Sequence, residues 1–298
     1  MKLFRRSSPV LAALILSACE RQKTPRPADS VVRTQGAAAE SSSVAAPVST
    51  WNPSAGPVLL VAADVPTRAF VLVPDTANRA SALAAIPRPA SVTLFGRNGT
   101  VQTAELPRVT DAGVCFTATL SAAPPPRPWS VGFIGGVVSP VAMDSLEILP
   151  RADSIALTTG VIRLASALPN DSAGRFNGLP FIVRSIWRFT LANGPQVVAG
   201  TLGRQINQEA TPLQERTLLV AERSPTDSSL TTVYSERSYG DEETVETREV
   251  LAAVVLGGGR NVAIVVSRDF GDSIAYALIE RGEDGRWRAR WASPRRRC

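Results

Sequence analysis

"NVAIVVSRDFGDSIAYALIERGEDGRWRARWAS" occupies residues 261–293. Runs rich in Val, Ile and aromatic residues alternate with two short turn segments, Phe270-Gly271-Asp272 and Gly282 to Gly285. β-Branched and aromatic side chains fit a pleated, half-buried surface, and Gly and Asp fit tight turns. The stretch therefore reads as three antiparallel strands in a meander. Strands that pair with their sequence neighbours at this spacing predict a sandwich, a barrel or propeller-like sheets rather than a parallel α/β sheet. In the last run Trp287, Ala289 and Trp291 alternate with Arg286, Arg288 and Arg290. A period of two predicts a buried tryptophan face and a wet arginine face. It accounts for the interleaved aromatic and basic residues without a nucleic-acid stacking role.

The same texture extends upstream. "SIWRFTLANGPQVVAGTLG" (185–203) carries Asn193-Gly194 at a predicted turn, and "RTLLVAER" (216–223), "LTTVYSERS" (230–238) and "ETVETREVLAAVVL" (243–256) follow. In the N-terminal half, "VLLVAAD" (58–64), "AFVLVPD" (69–75), "SVTLFGR" (91–97), "TVQTAEL" (100–106), "VCFTATL" (114–120) and "WSVGFIGGVV" (129–138) have the strand pattern. Asn98-Gly99 sits where a hairpin turn needs positive φ. "SALAAIP" (81–87) reads as a helical turn or two, and "PPPRP" (124–128) as an extended loop.

One helix interrupts the strands. In "ADSIALTTGVIRLASALP" (152–169), Leu157, Val161, Leu164, Ala165 and Leu168 make a single apolar stripe. Asp153 or Ser154 is placed to cap its start, and Pro169 to stop it. The expected fold is mainly β, with antiparallel sheets and one central amphipathic helix. The organisation expected is a leader at 1–18, a disordered tether at 19–56 and an N-terminal β region at 57–150. A helix and loop follow at 151–178, then a C-terminal antiparallel β region at 179–298. The tether is rich in Pro, Ser, Ala and Gly without apolar period; Trp51 marks where the chain can rejoin the fold.

The residues that are missing exclude several chemistries. Histidine is absent and the only lysines are Lys2 and Lys23. This removes Ser-His-Asp and Cys-His catalysis, imidazole bases, most zinc sites, Schiff-base chemistry and a P-loop lysine. The formal charge is +6, and loss of residues 1–18 removes Lys2, Arg5 and Arg6 to leave +3. That balance implies no nucleic-acid partner.

The start of the chain has a basic Lys2-Leu3-Phe4-Arg5-Arg6, a short apolar run and then Leu16-Ser17-Ala18-Cys19. The run is shorter than the roughly 20 residues a membrane span needs. This ending resembles the lipobox of bacterial lipoproteins. The resemblance implies cleavage before Cys19 and acylation of its thiol and of the new amino terminus, hence a lipid anchor in the cell envelope. Glu20 follows the cysteine, and the lack of Asp there favours the outer membrane, on its periplasmic or surface face. A second resemblance covers residues 248–290, which look like a degenerate FG-GAP or VCBS-type β repeat. Members of that family often bind calcium through an acidic loop. Here the loop is Leu256-Gly257-Gly258-Gly259, so no calcium site carries over.

The densest polar segment is "ERSYGDEETVETRE" (236–249). Asp241, Glu242, Glu243 and Glu246 are the weak candidates for a cation site or a carboxylate pair. Interleaved with Arg237 and Arg248, they read more simply as a solvated hairpin tip. Ser238 lacks the first glycine of a G-x-S-x-G elbow and any histidine to activate it. Gly257-Gly258-Gly259 leads into a strand, not the helix of a phosphate-binding turn. No cofactor and no catalytic residue is expected. The functional expectation is a membrane-anchored envelope lipoprotein with a binding or structural role, its partner an envelope protein or a polysaccharide. The alternatives are a carboxylate-dependent, carbohydrate-active hydrolase and an accessory factor of an envelope assembly machine.

With Cys19 acylated, Cys115 and Cys298 remain as a candidate disulfide for an oxidising compartment. Closing so long a loop stabilises a fold by about 4–5 kcal/mol through loop entropy. Alkylation of protein taken from the envelope should label neither thiol before reduction and both after it; two free thiols at the outset refute the pairing.

Overall fold

"LAAVVL" (251–256), "VAIVV" (262–266) and "IAYALI" (274–279) contain no alternating polar residue. Strands of this kind are stable only where both faces are covered. The computed structural model describes residues 50–298 apart from 75–83, 85, 87, 112–115, 170–173, 193, 208–211, 225–228, 260 and 298. In it these runs form β14 (Thr247–Leu256), β15 (Asn261–Asp269) and β16 (Ile274–Arg281). They are the interior of a middle sheet that is buried on both sides. The lipobox, most of the tether region and both Cys115 and Cys298 lie outside the described residues, as does most of the 81–87 segment.

Among the described residues the strands form three antiparallel sheets. The middle sheet has the order β17-β16-β15-β14-β8, with β8 at Val138–Val141 and β17 at Trp287–Ala292. The first sheet comprises β1 (Val58–Ala62), β2 (Arg68–Leu72), β3 (Ala90–Phe95), β4 (Val101–Leu106), β5 (Val109–Asp111), β6 (Phe116–Thr119) and β7 (Val131–Ile134). Its order is β4-β3-β7-β1-β2-β6-β5. The third comprises β9 (Asp144–Ser145), β10 (Ile182–Thr190), β11 (Gln196–Ile206), β12 (Leu213–Arg223) and β13 (Thr231–Asp241), in the order β13-β12-β11-β10-β9. The fold is thus mainly β with one long helix, α1 (Arg151–Ala167), as the sequence predicts. β8 and β9, from the N-terminal half, complete the two sheets of the C-terminal half.

The layers follow from the alternation of side chains along each strand. Val254, Leu256, Ala263, Val265, Tyr276 and Leu278 face the first sheet, where they meet Leu59, Val61, Phe95 and Phe133. Val250, Ala253, Ile264, Val266 and Ile279 face the third sheet and meet Phe189, Val197, Leu218 and Val220. The far side of the third sheet presents Ile186, Val198, Leu202, Leu219 and Ala221 to Leu157, Val161 and Ala165 of α1. A Cβ added at Gly200 would lie 3.0 Å from Val161 Cγ1, so the helix sits down on a glycine. The first sheet curls around a core of its own, which includes Leu60, Val71, Val92, Leu94, Leu106 and Phe116. Glu105 and Ser121 exchange backbone hydrogen bonds of 2.7 and 2.9 Å, bringing β4 against the chain that leaves β6 and making a half-barrel.

Details depart from the expectation where strands are irregular. The tryptophans of β17 do not share a face. Leu278 pairs with Trp291 while Ile279 pairs with Ala289, so Arg290 is the extra residue of a β-bulge. The bulge turns Trp291 toward the first sheet and leaves Trp287 toward the third. Both are 3% exposed, so burial was legible in the sequence and direction was not. The helix starts at Arg151 with Pro150 at the cap position and no side-chain cap, rather than being capped by Asp153 or Ser154. Asp153 lies in the first turn, where a negative charge suits the helix dipole, and approaches Arg188 at 3.7 Å.

The turns fit their residues. Gly99 closes the β3–β4 hairpin at φ +79 with its N–H on the Gly96 carbonyl. Residues 124–128 form a loop that Gln102 holds, accepting from Arg127 N at 2.6 Å and donating to its carbonyl at 3.3 Å. Residues from Thr50 onward are packed against the sheets. Trp51 stands edge-on to Trp291 with 4.8 Å between ring centroids and donates to the Gly56 carbonyl at 2.7 Å. Asn52 caps the short 3-10 turn Pro53–Ala55 and donates to Glu280 at 3.3 Å. Among the described residues no helix is long and apolar enough to cross a membrane.

Truncating Trp291 removes a buried indole from the junction of these elements. Trp291→Ala should cost about 3–5 kcal/mol in urea unfolding, whereas Arg290→Ala, at the exposed bulge, should stay within about 0.5 kcal/mol.

Candidate functional site

The acidic segment 236–249 does not form a hairpin. Among the described residues β13 pairs only with β12, and β14 pairs with β15 and β8, so residues 242–246 carry the chain from the third sheet to the middle one. The opposing charges therefore meet between sheets, and part of the cluster is buried instead of solvated.

Arg248 and Arg268 are direct cross-strand partners on β14 and β15. Like charges in that position repel. Glu236 of β13 and Glu246 of the crossover lie against both. Arg248 Nε is 3.0 Å from Glu236 Oε2 and 3.1 Å from Glu246 Oε1, with the Arg248 side chain only 6% exposed. Arg268 pairs with Glu236 through Nη2 and stands 3.7 Å from Glu246 through Nε. Tyr234 donates its hydroxyl to Glu236. Burial, and then the Glu236 charge, push the Tyr234 pKa well above the usual phenol range, so it stays a neutral donor. Ser238 donates to the Glu246 carbonyl at 2.6 Å and accepts from Arg248 at 3.2 Å. Its hydroxyl is thus part of the brace between the sheets.

The four candidate carboxylates are not gathered around one point. Asp241 Oδ1 accepts from the Thr244 hydroxyl at 2.6 Å, the Thr244 amide at 2.8 Å and the Glu243 amide at 3.1 Å. The Thr244 hydroxyl, then its amide, hold the Asp241 pKa below the usual carboxylate range. Glu242 and Glu243 are exposed on the crossover, and Glu246 belongs to the arginine network. Among the described residues no three Asp, Glu, Cys or His side chains are grouped so as to hold a metal ion.

A second buried ion cluster escaped the sequence reading. Glu215 is 1% exposed on the helix side of β12. Its cross-strand partner Arg204 grips it with two bonds, at 3.2 and 3.0 Å, and donates to the Phe176 carbonyl at 2.7 Å. The Arg204 guanidinium also lies 4.6 Å from the Phe181 ring centroid. Arg237 Nε stands 3.9 Å from Glu215 Oε1, and its Nη atoms donate to the carbonyls of Pro169, Leu168 and Ala165. Ala165 and Leu168 lie at the C-terminal end of α1, where a cation suits the dipole, and Pro169 follows the cap. A charged residue inside a strand buried on both faces was the available signal, since such a group needs a fixed partner.

An open groove of 1110 Å³ lies between β4 and the 121–128 loop. It contains no convergent set of acids and bases. No protein-family model matches the chain, and no curated protein or solved structure matches it either.

Glu236 should be worth far more than its neighbours on the crossover. Glu236→Gln, which leaves Arg248 and Arg268 facing each other, should lower stability by roughly 2–3 kcal/mol in urea unfolding, less than for a fully buried pair. Glu243→Gln should change it by under about 0.5 kcal/mol.

Proposed function

We propose that the chain is a lipid-anchored envelope protein whose β body has a binding or structural role rather than a catalytic one. The observation that carries this is Leu16-Ser17-Ala18-Cys19 behind a basic start and a short apolar run. Residues 20–49 separate that cysteine from Thr50, the first described residue of the β body. Two or more acyl chains give stable membrane anchoring, which one chain alone does not.

The body supports a non-catalytic role through what its charged groups already do. Glu236 and Glu246 balance Arg248 and Arg268, Glu215 joins Arg204 to Arg237, and Glu222 accepts from Arg281 at 2.7 Å and from Trp287 Nε1 at 2.7 Å. Each is a brace between strands or layers. Catalytic carboxylate pairs need one member kept protonated and both turned to a shared cleft; Glu215, Glu222, Glu236 and Glu246 are turned to arginines instead.

Cys19→Ser tests the anchor. Wild type should take up a labelled fatty acid and sediment with membranes, and the variant should lose the label and leave the membrane fraction. A variant that is still labelled and still sediments overturns the proposal.

A further inference from the structure

The third sheet extends past the edge of its apolar contact with the middle sheet, and there the face turned away from α1 becomes polar. Leu218 and Val220 of β12 occupy this face within the apolar core, and two residues earlier the same row reaches Arg216. Arg216 pairs across to Gly203 of β11. A Cβ built on Gly203 would lie 2.9 Å from Arg216 Nη1 and 3.3 Å from its Cδ. The glycine is therefore a seat that lets the guanidinium lie flat across β11 toward β10.

On β10 the register slips between Val183 and Ser185. Val183 and Ile186 both pack toward the helix, so the bulge sets Arg184 on the opposite face together with Ser185. Ser185 is the cross-strand partner of Thr201, and their hydroxyls share one hydrogen bond of 2.7 Å. Two hydroxyls carry two protons, and the shared bond uses one; the other is left to donate outward. Arg216 Nη2 donates to Gln214, and Arg216 Nε is buried with no hydrogen-bond acceptor among the described residues. Burial and then the charge of Arg184 push the Arg216 pKa down, and the charge of Glu242 pushes it back up. The two arginines thus feel each other, with one carboxylate from the crossover nearby.

We propose that Arg184, Arg216 and the Ser185–Thr201 hydroxyl pair form a binding site for a tetrahedral phosphate oxyanion. Two guanidinium groups that repel each other gain most from a multiply charged anion between them, and arginine's planar fork matches phosphate oxygens. Hydroxyl donors beside the forks supply the third direction that a tetrahedral anion uses and a planar carboxylate does not. The orphan Nε of Arg216 is then satisfied by a ligand oxygen. The Glu242 charge acts on the same guanidinium and opposes the anion. The phosphate can be free or can belong to a headgroup or a phosphorylated sugar.

The test uses purified full-length protein in detergent, titrated calorimetrically with inorganic phosphate and with glycerol phosphate, against acetate at matched ionic strength. Phosphate also raises Tm by exclusion from any surface, so the readout is direct binding and its response to substitution. Saturable binding of phosphate, with acetate silent, is expected. Arg184→Gln, at an exposed position that leaves the fold intact, should weaken it about tenfold, and Arg216→Lys should weaken it by keeping charge but losing the fork. Glu242→Gln should tighten it. Glycerol phosphate binding as well as free phosphate assigns the site to a phosphate ester, and weaker binding of the ester assigns it to free phosphate. Absence of binding by both, or binding that Arg184→Gln and Glu242→Gln leave unchanged, overturns the proposal.

Discussion

The middle sheet has no face that can meet water, and the rest of the architecture answers to that constraint. Ile264 and Val265 are adjacent in sequence, fully buried and directed into different cores. A strand of this kind exposes apolar area on both sides until two further layers cover it, and each fully buried aliphatic side chain contributes about 1.5–3 kcal/mol when they do. The half-barrel covers one side and the third sheet covers the other. The third sheet is itself two-faced and needs α1 behind it. The order of layers, half-barrel, middle sheet, third sheet and helix, is therefore a chain of obligations that starts in the apolar runs of β14, β15 and β16.

Stacking layers in this way forces charges indoors. Where the chain crosses from β13 to β14, the residues that leave one sheet and enter the next lie between the two. Glu236, Glu246, Arg248 and Arg268 occupy that space. Desolvating these ions is costly, and their attraction offsets the cost only if every partner is present. Apolar contact is tolerant of sliding, whereas paired ions are satisfied in one register. The two buried clusters thus fix how the third sheet sits: one against the middle sheet, through Glu236, and one against the helix end and the 174–178 turn, through Glu215.

Much of this was visible in the sequence. The meander, the strand texture, the helix with its Leu157–Val161–Ala165 stripe, the Gly99 turn and the docking of Trp51 follow from period, turn chemistry and composition. What failed did so for physical reasons. The bulge at Arg290 inserts one residue into a period of two, and no local property of "RWRARW" announces it. The acidic segment was misread because hairpin and crossover have the same local composition; only the distant partners of β13 and β14 separate them. The buried arginines were missed because their partners lie on other strands, and cross-strand register is a tertiary fact. The Gly203 seat and the bulge that turns Arg184 belong to the same class.

The short segment Thr50–Gly56 touches more of the molecule than its length implies. Thr50 N donates to the Arg290 carbonyl, Trp51 rests on Trp291, Asn52 reaches Glu280, and the Ser54 carbonyl accepts from Val137, whose own carbonyl accepts from Gly257. A Cβ at Gly136 would come within 2.6 Å of the Ala55 carbonyl, so the segment is wedged against bare backbone. These contacts straddle the seam between the half-barrel and the middle sheet. Tension applied at the N-terminal side of Thr50 is consequently shared by two sheets at once, at a point where they are already clamped together. It does not fall on the free end of one strand, from which hydrogen bonds could be unzipped singly.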